Sequence, residues 1–490
     1  MPEYACARLA SVPNESGPNH SGTASSDHPY ADRFPVNRRL PEQGRPRAEV
    51  LAELEQIATE EDRAWEGGKV SGTMYCGDHD HYAYLTEAFG RFAHVNALQR
   101  DICPSMTRFE GEIIAMTLDL MHGEAVTGTE PGGLVTTGGS GSILHAVLAY
   151  REQAYAAGNR SPNLVKPETA HVAFDKACHL LGVELRVVPV DPATTLVTAA
   201  AMADAIDEHT IALVGSAGNY PYGTIDPIAS LGELALERGI GLHVDGCLGG
   251  FVLPFGEELG YDVPEFDFRV PGVTTISADT HKYGYALKGT SVLLFRDQAL
   301  RAGQYFHQVS WSGGKYMSPS IEGSRSGGLL AATWASMVHL GRDGYRRYAA
   351  DIFSTAEAMM KVVRAQEDLR IMGSPTFCFS FASDELDIYH VADHMRPKGW
   401  RFNGQQYPDA IHMAVTRPQT QPGVVEAFEA DLVEAIAYAR ERSAAGVAAE
   451  SGAIYGGVPG GLAGLTDDVT DFIEQIMDSM LDAQMSLPPQ

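Results

Sequence analysis

The sequence predicts an α/β protein: a mostly parallel central sheet followed by a small C-terminal α+β domain. Two observations carry the prediction. From about 131 to 345, apolar β-branched runs alternate with helical patterns, the signature of βαβ units. Beyond 345 the order becomes helix, strand, helix, strand. Length agrees, because 490 residues can bury one large core and a second smaller one.

The elements follow in chain order. Residues 1–45 are rich in Pro, Ser, Asn, Gly and His with no apolar period, and read as a flexible arm. Asn14-Glu15-Ser16 and Asn19-His20-Ser21 match the glycosylation pattern, a chance match without an export signal. Residues 46–130 read as a helical segment. Val50, Leu51, Leu54 and Ile57 recur at helical spacing, a second helix covers Tyr84 to Phe89, and a third runs from Phe109 to Met121. The large domain, 131–345, opens with Leu134-Val135 and a Gly-rich turn into a helix reaching about Ala157. Its clearest unit is the strand Ile211–Val214, a Gly/Asn/Tyr/Pro loop, a helix from Pro227 to Glu237 and a strand from Gly241 to Asp245. Two more apolar runs follow, Val273–Ile276 and Ser291–Phe295. The small domain, 346–490, reads as a helix from Tyr348 to Ala365, a strand at Phe377–Phe381, a helix at Ile388–Met395 and a strand at Ile411–Val415.

Composition excludes several functions. A formal net charge of −27 argues against a nucleic-acid or anionic-membrane partner, which a basic surface would hold. The six cysteines are scattered with no CxxC pair, so neither a disulfide framework nor a zinc site is expected, and the reading is cytoplasmic. No apolar run approaches a membrane span. The run Asp78-His79-Asp80-His81 invites a metal reading, but it lacks a third ligand pattern and reads as a solvated loop.

Ser277-Ala278-Asp279-Thr280-His281-Lys282-Tyr283-Gly284-Tyr285 places a lysine between a histidine and an aromatic residue, directly after an apolar strand. Such a lysine suits a Schiff-base amine held against an aromatic cofactor, and burial is expected to lower its pKa. Upstream, His243-Val244-Asp245 ends a buried strand in one carboxylate. An Asp ahead of a Lys on successive strand ends is what pyridoxal 5'-phosphate needs: the acid for the pyridine nitrogen, the amine for the aldehyde. Gly138-Gly139-Ser140-Gly141-Ser142 opens a helix where a phosphate could rest, although a plain strand-to-helix turn looks the same. A nicotinamide turn is disfavoured because the GxGxxG spacing is missing. His171 starts a helix that Gly182 ends; it could stack on a pyridine ring or simply cap.

Together these segments resemble the sphingosine-1-phosphate lyases, fold-type-I enzymes of the group II pyridoxal-phosphate decarboxylase superfamily. The similarity runs from about Lys69 to Gly457. It rests on the lysine motif with Lys288-Gly289, on His243-Val244-Asp245 with Cys247–Phe251, and on Thr169-Ala170-His171 with Ala173–Ala177. A later loop also matches, with Gly313-Gly314, Tyr316, Ser318-Pro319 and Gly323-Ser324-Arg325. The resemblance implies that Lys282 carries the cofactor, Asp245 pairs with its ring nitrogen and His171 stacks on it. Gly139, Ser140 and His281 would hold its phosphate, with Asp279 and Gly314 in the cofactor-binding set. Tyr75, Asn96 and Lys288 fall on substrate contacts, and Tyr220 lies in a loop facing the cofactor as a catalytic residue. The resemblance further implies a homodimer with shared active sites, the later loop reaching the neighbouring subunit. Five positions depart from the family pattern: Ser140-Gly141 for Thr-Glu, Gln99 for His, Gly246 for Ala and Ser326 for Pro. The membrane-anchoring helix of eukaryotic members is missing, which matches the soluble bacterial form.

The implied reaction is cleavage of the C2–C3 bond of a phosphorylated long-chain base, giving a long-chain aldehyde and phosphoethanolamine. Lys282 or a nearby tyrosine would be the general acid/base; the sequence leaves both open. The alternatives are an amino-acid decarboxylase of the same superfamily and a non-catalytic protein of the same fold.

Overall fold

The computed structural model describes residues 29–452 and 467–485. The chain divides into two compact units, residues 60–463 and residues 1–59 with 464–490. The expected boundaries near 130 and 345 both lie inside the larger unit. The two Asn-X-Ser sites, Cys6 and residues 1–28 of the expected arm lie outside the described residues. Residues 29–46 contain only turns and bends.

α1 (Arg47–Glu66), α2 (His79–Phe92) and α3 (Ser105–Leu120) form where helical patterns were expected, although Val50, Leu51 and Leu54 remain exposed. Then come β1 (Gly132–Thr136), α4 (Gly139–Ala156), β2 (Asn163–Pro167), α5 (Ala173–Leu181) and β3 (Glu184–Val188). The alternation continues through α6 (Ala199–Asp204), β4 (Thr210–Ser216), α7 (Ile228–Arg238) and β5 (Gly241–Asp245). It closes with α8 (Leu253–Glu258), β6 (Thr275–Ala278), β7 (Ser291–Phe295) and α9 (Gln298–Ala302). A hairpin, β8 (Phe306–Gln308) and β9 (Tyr316–Ser318), leads into α10 (Gly327–Arg364). After it come β10 (Arg370–Ile371), β11 (Cys378–Ala382), α11 (Tyr389–Met395), β12 (Asn403–Gln405), β13 (Ala410–Ala414) and α12 (Val424–Ala444). α13 (Asp467–Gln484) belongs to the other unit.

The central sheet has the order β1-β7-β6-β5-β4-β2-β3. The strands from β2 to β6 pair in parallel, while β7 runs antiparallel to both β1 and β6. Both faces are covered, and the strand period sorts side chains between them. Ala212 and Val214 of β4 and Leu293 and Phe295 of β7 join one core cluster. Leu213, Val292 and Leu294, one step out of phase, join the other. The small sheet, β10-β11-β13-β12, is antiparallel throughout.

Several element boundaries differ from expectation, two of them for a clear physical reason. The strand read at 273–276 begins two residues later, because Val273 closes a turn onto the Val270 carbonyl. The helix read at 348–365 is the second half of α10, a 38-residue helix broken at Gly341 (φ 55°). Its first half is buried through Leu330, Ala331, Ala332, Ala335 and Met337, so it shows no amphipathic stripe. Ser326 caps this helix, its hydroxyl accepting from the Leu329 N–H at 3.2 Å.

Candidate active site

Neighbouring parallel strands deliver the acid and the amine to one sheet edge, since Asp245 ends β5 and Lys282 follows the end of β6. Asp245 is buried, and its Oδ1 accepts from the Cys247 N–H at 3.0 Å and the Ser277 hydroxyl at 3.2 Å. Both bonds engage one oxygen, which leaves the other for a cationic partner.

Lys282 Nζ lies 2.9 Å from Asp279 Oδ2, and His281 Nε2 lies 3.7 Å from the same oxygen. Burial, the largest influence, works to lower the Lys282 pKa, but Asp279, with Tyr75 and Cys247 adding to it, outweighs burial and the amine stands well above the usual lysine value. The expected depression is therefore corrected: a carboxylate in contact decides the sign. Burial also opposes ionisation of Asp279, yet Lys282 and His281 hold its carboxyl below the usual range.

His171 lies just ahead of α5, its Nδ1 accepting from the Ala173 N–H at 3.0 Å. Burial pushes this imidazole down, while Asp245 pulls it up and Lys282 pulls it down, which places the ring among those charges. Cys247, which the sequence reading gave no role, joins the group. Its thiol bonds the Ser277 hydroxyl at 3.3 Å.

α4 starts against this cluster. Gly138 (φ +130°) precedes its first turn with no side-chain cap. A Cβ at Gly139 would sit 2.8 Å from Asp279 Oδ2 and 2.9 Å from Cys247 Sγ, so only glycine lets the helix start approach so closely. Ser140 is exposed on that first turn, and His281 Nδ1 is buried without a hydrogen-bond partner. An uncapped helix start beside an orphaned imidazole nitrogen fits a phosphate, and Lys282 and Asp245 fit an aldehyde and a ring nitrogen. The residues present suit pyridoxal phosphate. Beside Gly141, Glu322 brings in a carboxylate and accepts from the Thr137 hydroxyl at 2.6 Å.

A cavity of about 240 Å³ is lined by Tyr75, His281, Lys282 and Lys288, with Trp65 and Met74 among its apolar walls. Lys288 Nζ stands 4.6 Å from the centre of the Tyr75 ring. Burial, helped by the charge of Lys282 and opposed by Asp279, pulls the Lys288 pKa down to about 8.

Of the twelve expected site residues four line this cavity, and Tyr220, Asn96 and Gly314 are among the eight that do not. The Tyr220 ring packs 4.5 Å from that of His412. The next carbonyl, Pro221, accepts from Ser380 Oγ at 2.5 Å, from Gln405 Nε2 and from His412 Nδ1 at 3.4 Å, so β11, β12 and β13 together hold the loop. Asn96 donates to the Ser324 hydroxyl at 2.8 Å. Gly314 lies between β8 and β9 with open space where a side chain would be. Sequence reasoning missed Ser380, Gln405 and His412, because each faces the loop across a sheet that no local pattern reveals.

The Asp78–His81 run does not converge on one point. Asp78 caps α2 and pairs with Arg417 at 3.2 Å, while His81 is buried against the Tyr285 carbonyl at 3.1 Å. His79 approaches Asp62 and Glu66 instead. There Asp62 accepts from the Trp65 indole at 3.0 Å and Glu66 bonds His79 at 2.9 Å.

Residues 30–381 match the pyridoxal-dependent decarboxylase conserved domain. Over 407 residues the chain is 41% identical to sphingosine-1-phosphate lyase of Dictyostelium discoideum, covering 82% of this chain and 75% of that protein. The chain belongs to the sphingosine-1-phosphate lyase family. The solved sphingosine-1-phosphate lyase of Burkholderia pseudomallei K96243 is 54% identical, with a TM-score of 0.85 over 92% of this chain and 98% of that one. Glutamate decarboxylase of Lactobacillus brevis shares the fold alone, at 23% identity and a TM-score of 0.71 over 84% of this chain and 96% of its own. Pyridoxal phosphate is thus the cofactor of a family whose motifs coincide with the cluster around Lys282.

Proposed function

We propose that this member of the lyase family cleaves the C2–C3 bond of phosphorylated long-chain sphingoid bases, releasing a long-chain aldehyde and phosphoethanolamine. Bound at Lys282, pyridoxal phosphate supplies an electron sink that stabilises the charge left on C2. Asp245 would pair with the ring nitrogen, and His171 would offer the ring a flat face. The uncapped start of α4 at Gly139 and Ser140, with His281, holds the cofactor phosphate. Lys282 would take the proton of the C3 hydroxyl and return it to C2, with Asp279 keeping its amine charged between the two transfers. The alternative carrier of that proton is Tyr220, on a loop that the small sheet holds through the Pro221 carbonyl.

The observation that carries this reading is the second cation. Lys288 shares the cavity with Lys282 and, among the described residues, has no carboxylate within ion-pair distance. An ammonium without a carboxylate partner, standing beside the Tyr75 ring at the cavity wall, suits a phosphate that stays bound. A decarboxylase would instead hold a carboxylate that leaves. Sphingosine 1-phosphate should therefore yield aldehyde and phosphoethanolamine in equal amounts. Carbon dioxide release from amino acids, with no aldehyde from the phosphorylated base, would remove the proposal.

We further propose a homodimer with shared sites, with Asn96 and Gly314 serving the partner's cavity. Phe306, Val309, Trp311, Met317 and Ile321, all exposed on or beside the β8–β9 hairpin, support it. Among the described residues no helix is long and apolar enough to cross a membrane, and the five described cysteines are unpaired. Both features support a cytoplasmic location, which fractionation of the producing cells would check; protein found only in a membrane or secreted fraction would oppose it.

A further inference from the structure

We infer that a buried hydrogen-bond chain, Tyr150–Thr275–His243–Ser277, holds Asp245 in its ionised, accepting state, and that His243 and Ser277 are positioning residues for the cofactor's ring nitrogen. The inference rests on the pyridoxal phosphate reading above and extends it to residues that the family motifs leave without a role.

The strands build the chain. In the parallel register of β5 and β6, His243 lies opposite Thr275 and Asp245 opposite Ser277. Residues two apart share a face, so the four side chains line up on one side of the sheet. The links are continuous. Tyr150 OH lies 2.7 Å from Thr275 Oγ1, and Thr275 Oγ1 lies 2.8 Å from His243 Nδ1. His243 Nε2 lies 3.3 Å from Ser277 Oγ, which reaches Asp245 Oδ1 at 3.2 Å. Every member is buried. Phe174 of α5 meets the His243 ring edge-on at 5.4 Å and fixes its plane.

The direction of the chain follows from its end. An ionised carboxylate only accepts, so Ser277 must donate to it. The serine oxygen then accepts from Nε2–H of a neutral His243, whose Nδ1 accepts from Thr275, whose oxygen accepts from Tyr150. Tyr150 OH is also 2.7 Å from Thr274 Oγ1, whose own hydroxyl reaches the Leu242 carbonyl at 3.1 Å, and the order from Thr275 to Asp245 holds whichever threonine takes the Tyr150 proton. Burial pushes the His243 pKa down to about 4, in keeping with the neutral ring this order needs. Reversing the chain would require a proton on Asp245. In a buried network the direction of the bonds and the charge of the acid are therefore one property.

The test measures equilibrium binding of pyridoxal phosphate and of its 1-deaza analogue, in which carbon replaces the ring nitrogen, to the cofactor-free protein. Wild type should prefer the natural cofactor. Ser277→Ala and His243→Phe should each weaken pyridoxal phosphate about tenfold and leave the analogue unchanged, as expected for a lost hydrogen bond to an ionised group. His243→Gln, whose amide can still donate toward Ser277, should recover part of the preference. Equal weakening of both ligands, or of neither, in Ser277→Ala would overturn the inference. Wild type binding both ligands alike would instead remove the pairing of Asp245 with the ring nitrogen, and the inference with it.

Discussion

Lysines 282 and 288 share one cavity yet are tuned in opposite directions. Lys282 touches Asp279, whereas Lys288 faces an aromatic ring and the like charge of Lys282, which Asp279 only partly offsets. A group with a raised pKa keeps its proton longest, so the cofactor-free protein should show a clear order of reaction. Under competitive acylation across a pH series, Lys288 should reach half-modification near pH 8, and Lys282 should resist until well above the ordinary lysine range. Mass spectrometry reads both peptides in one digest; the reverse order would show that Asp279 does not control Lys282. Residue identity was legible from the sequence here, because the strand ends marked both Asp245 and Lys282. The sign of the Lys282 shift was not, since it depends on a carboxylate three residues away turning back onto the amine.

Between elements, the buried charges show how α3, β1 and the entry to α10 are joined. Glu110 of α3 accepts from both terminal nitrogens of Arg325, at 2.6 and 3.0 Å, from Arg100, and from the Val135 N–H of β1 at 3.0 Å. Burial alone would raise this carboxyl, but the two arginines hold it below the usual range. Glu110→Gln strands a buried guanidinium and should cost about 3–5 kcal/mol, read as a lower denaturant midpoint. An unchanged midpoint would mean that the network relaxes without loss. Strands and helices with a clear period were legible, including α4, α7 and β5. The first half of α10 was not, because a helix buried on all sides carries no stripe. The grip of the small sheet on Pro221 was equally hidden, as Ser380, Gln405 and His412 come from three separate strands.

At the scale of the molecule, the α/β sheet and the small antiparallel sheet both follow from the order of periodic segments along the chain. The antiparallel placement of β7 between β1 and β6 does not, since pairing order is decided by packing rather than by any local run. Completing each site from a second copy should make activity depend on concentration. Dilution into the range where the dimer separates, followed by light scattering, should show turnover and mass falling together; a fully active monomer would contradict shared sites. The central claim is that one amine, at the edge where β5 and β6 end, carries the cofactor. Borohydride reduction of the loaded protein fixes the cofactor covalently to whichever amine holds it, and peptide mapping then locates it. The label should fall on Lys282 alone and vanish in Lys282→Ala; a label on Lys288, or none on any lysine, would contradict the account.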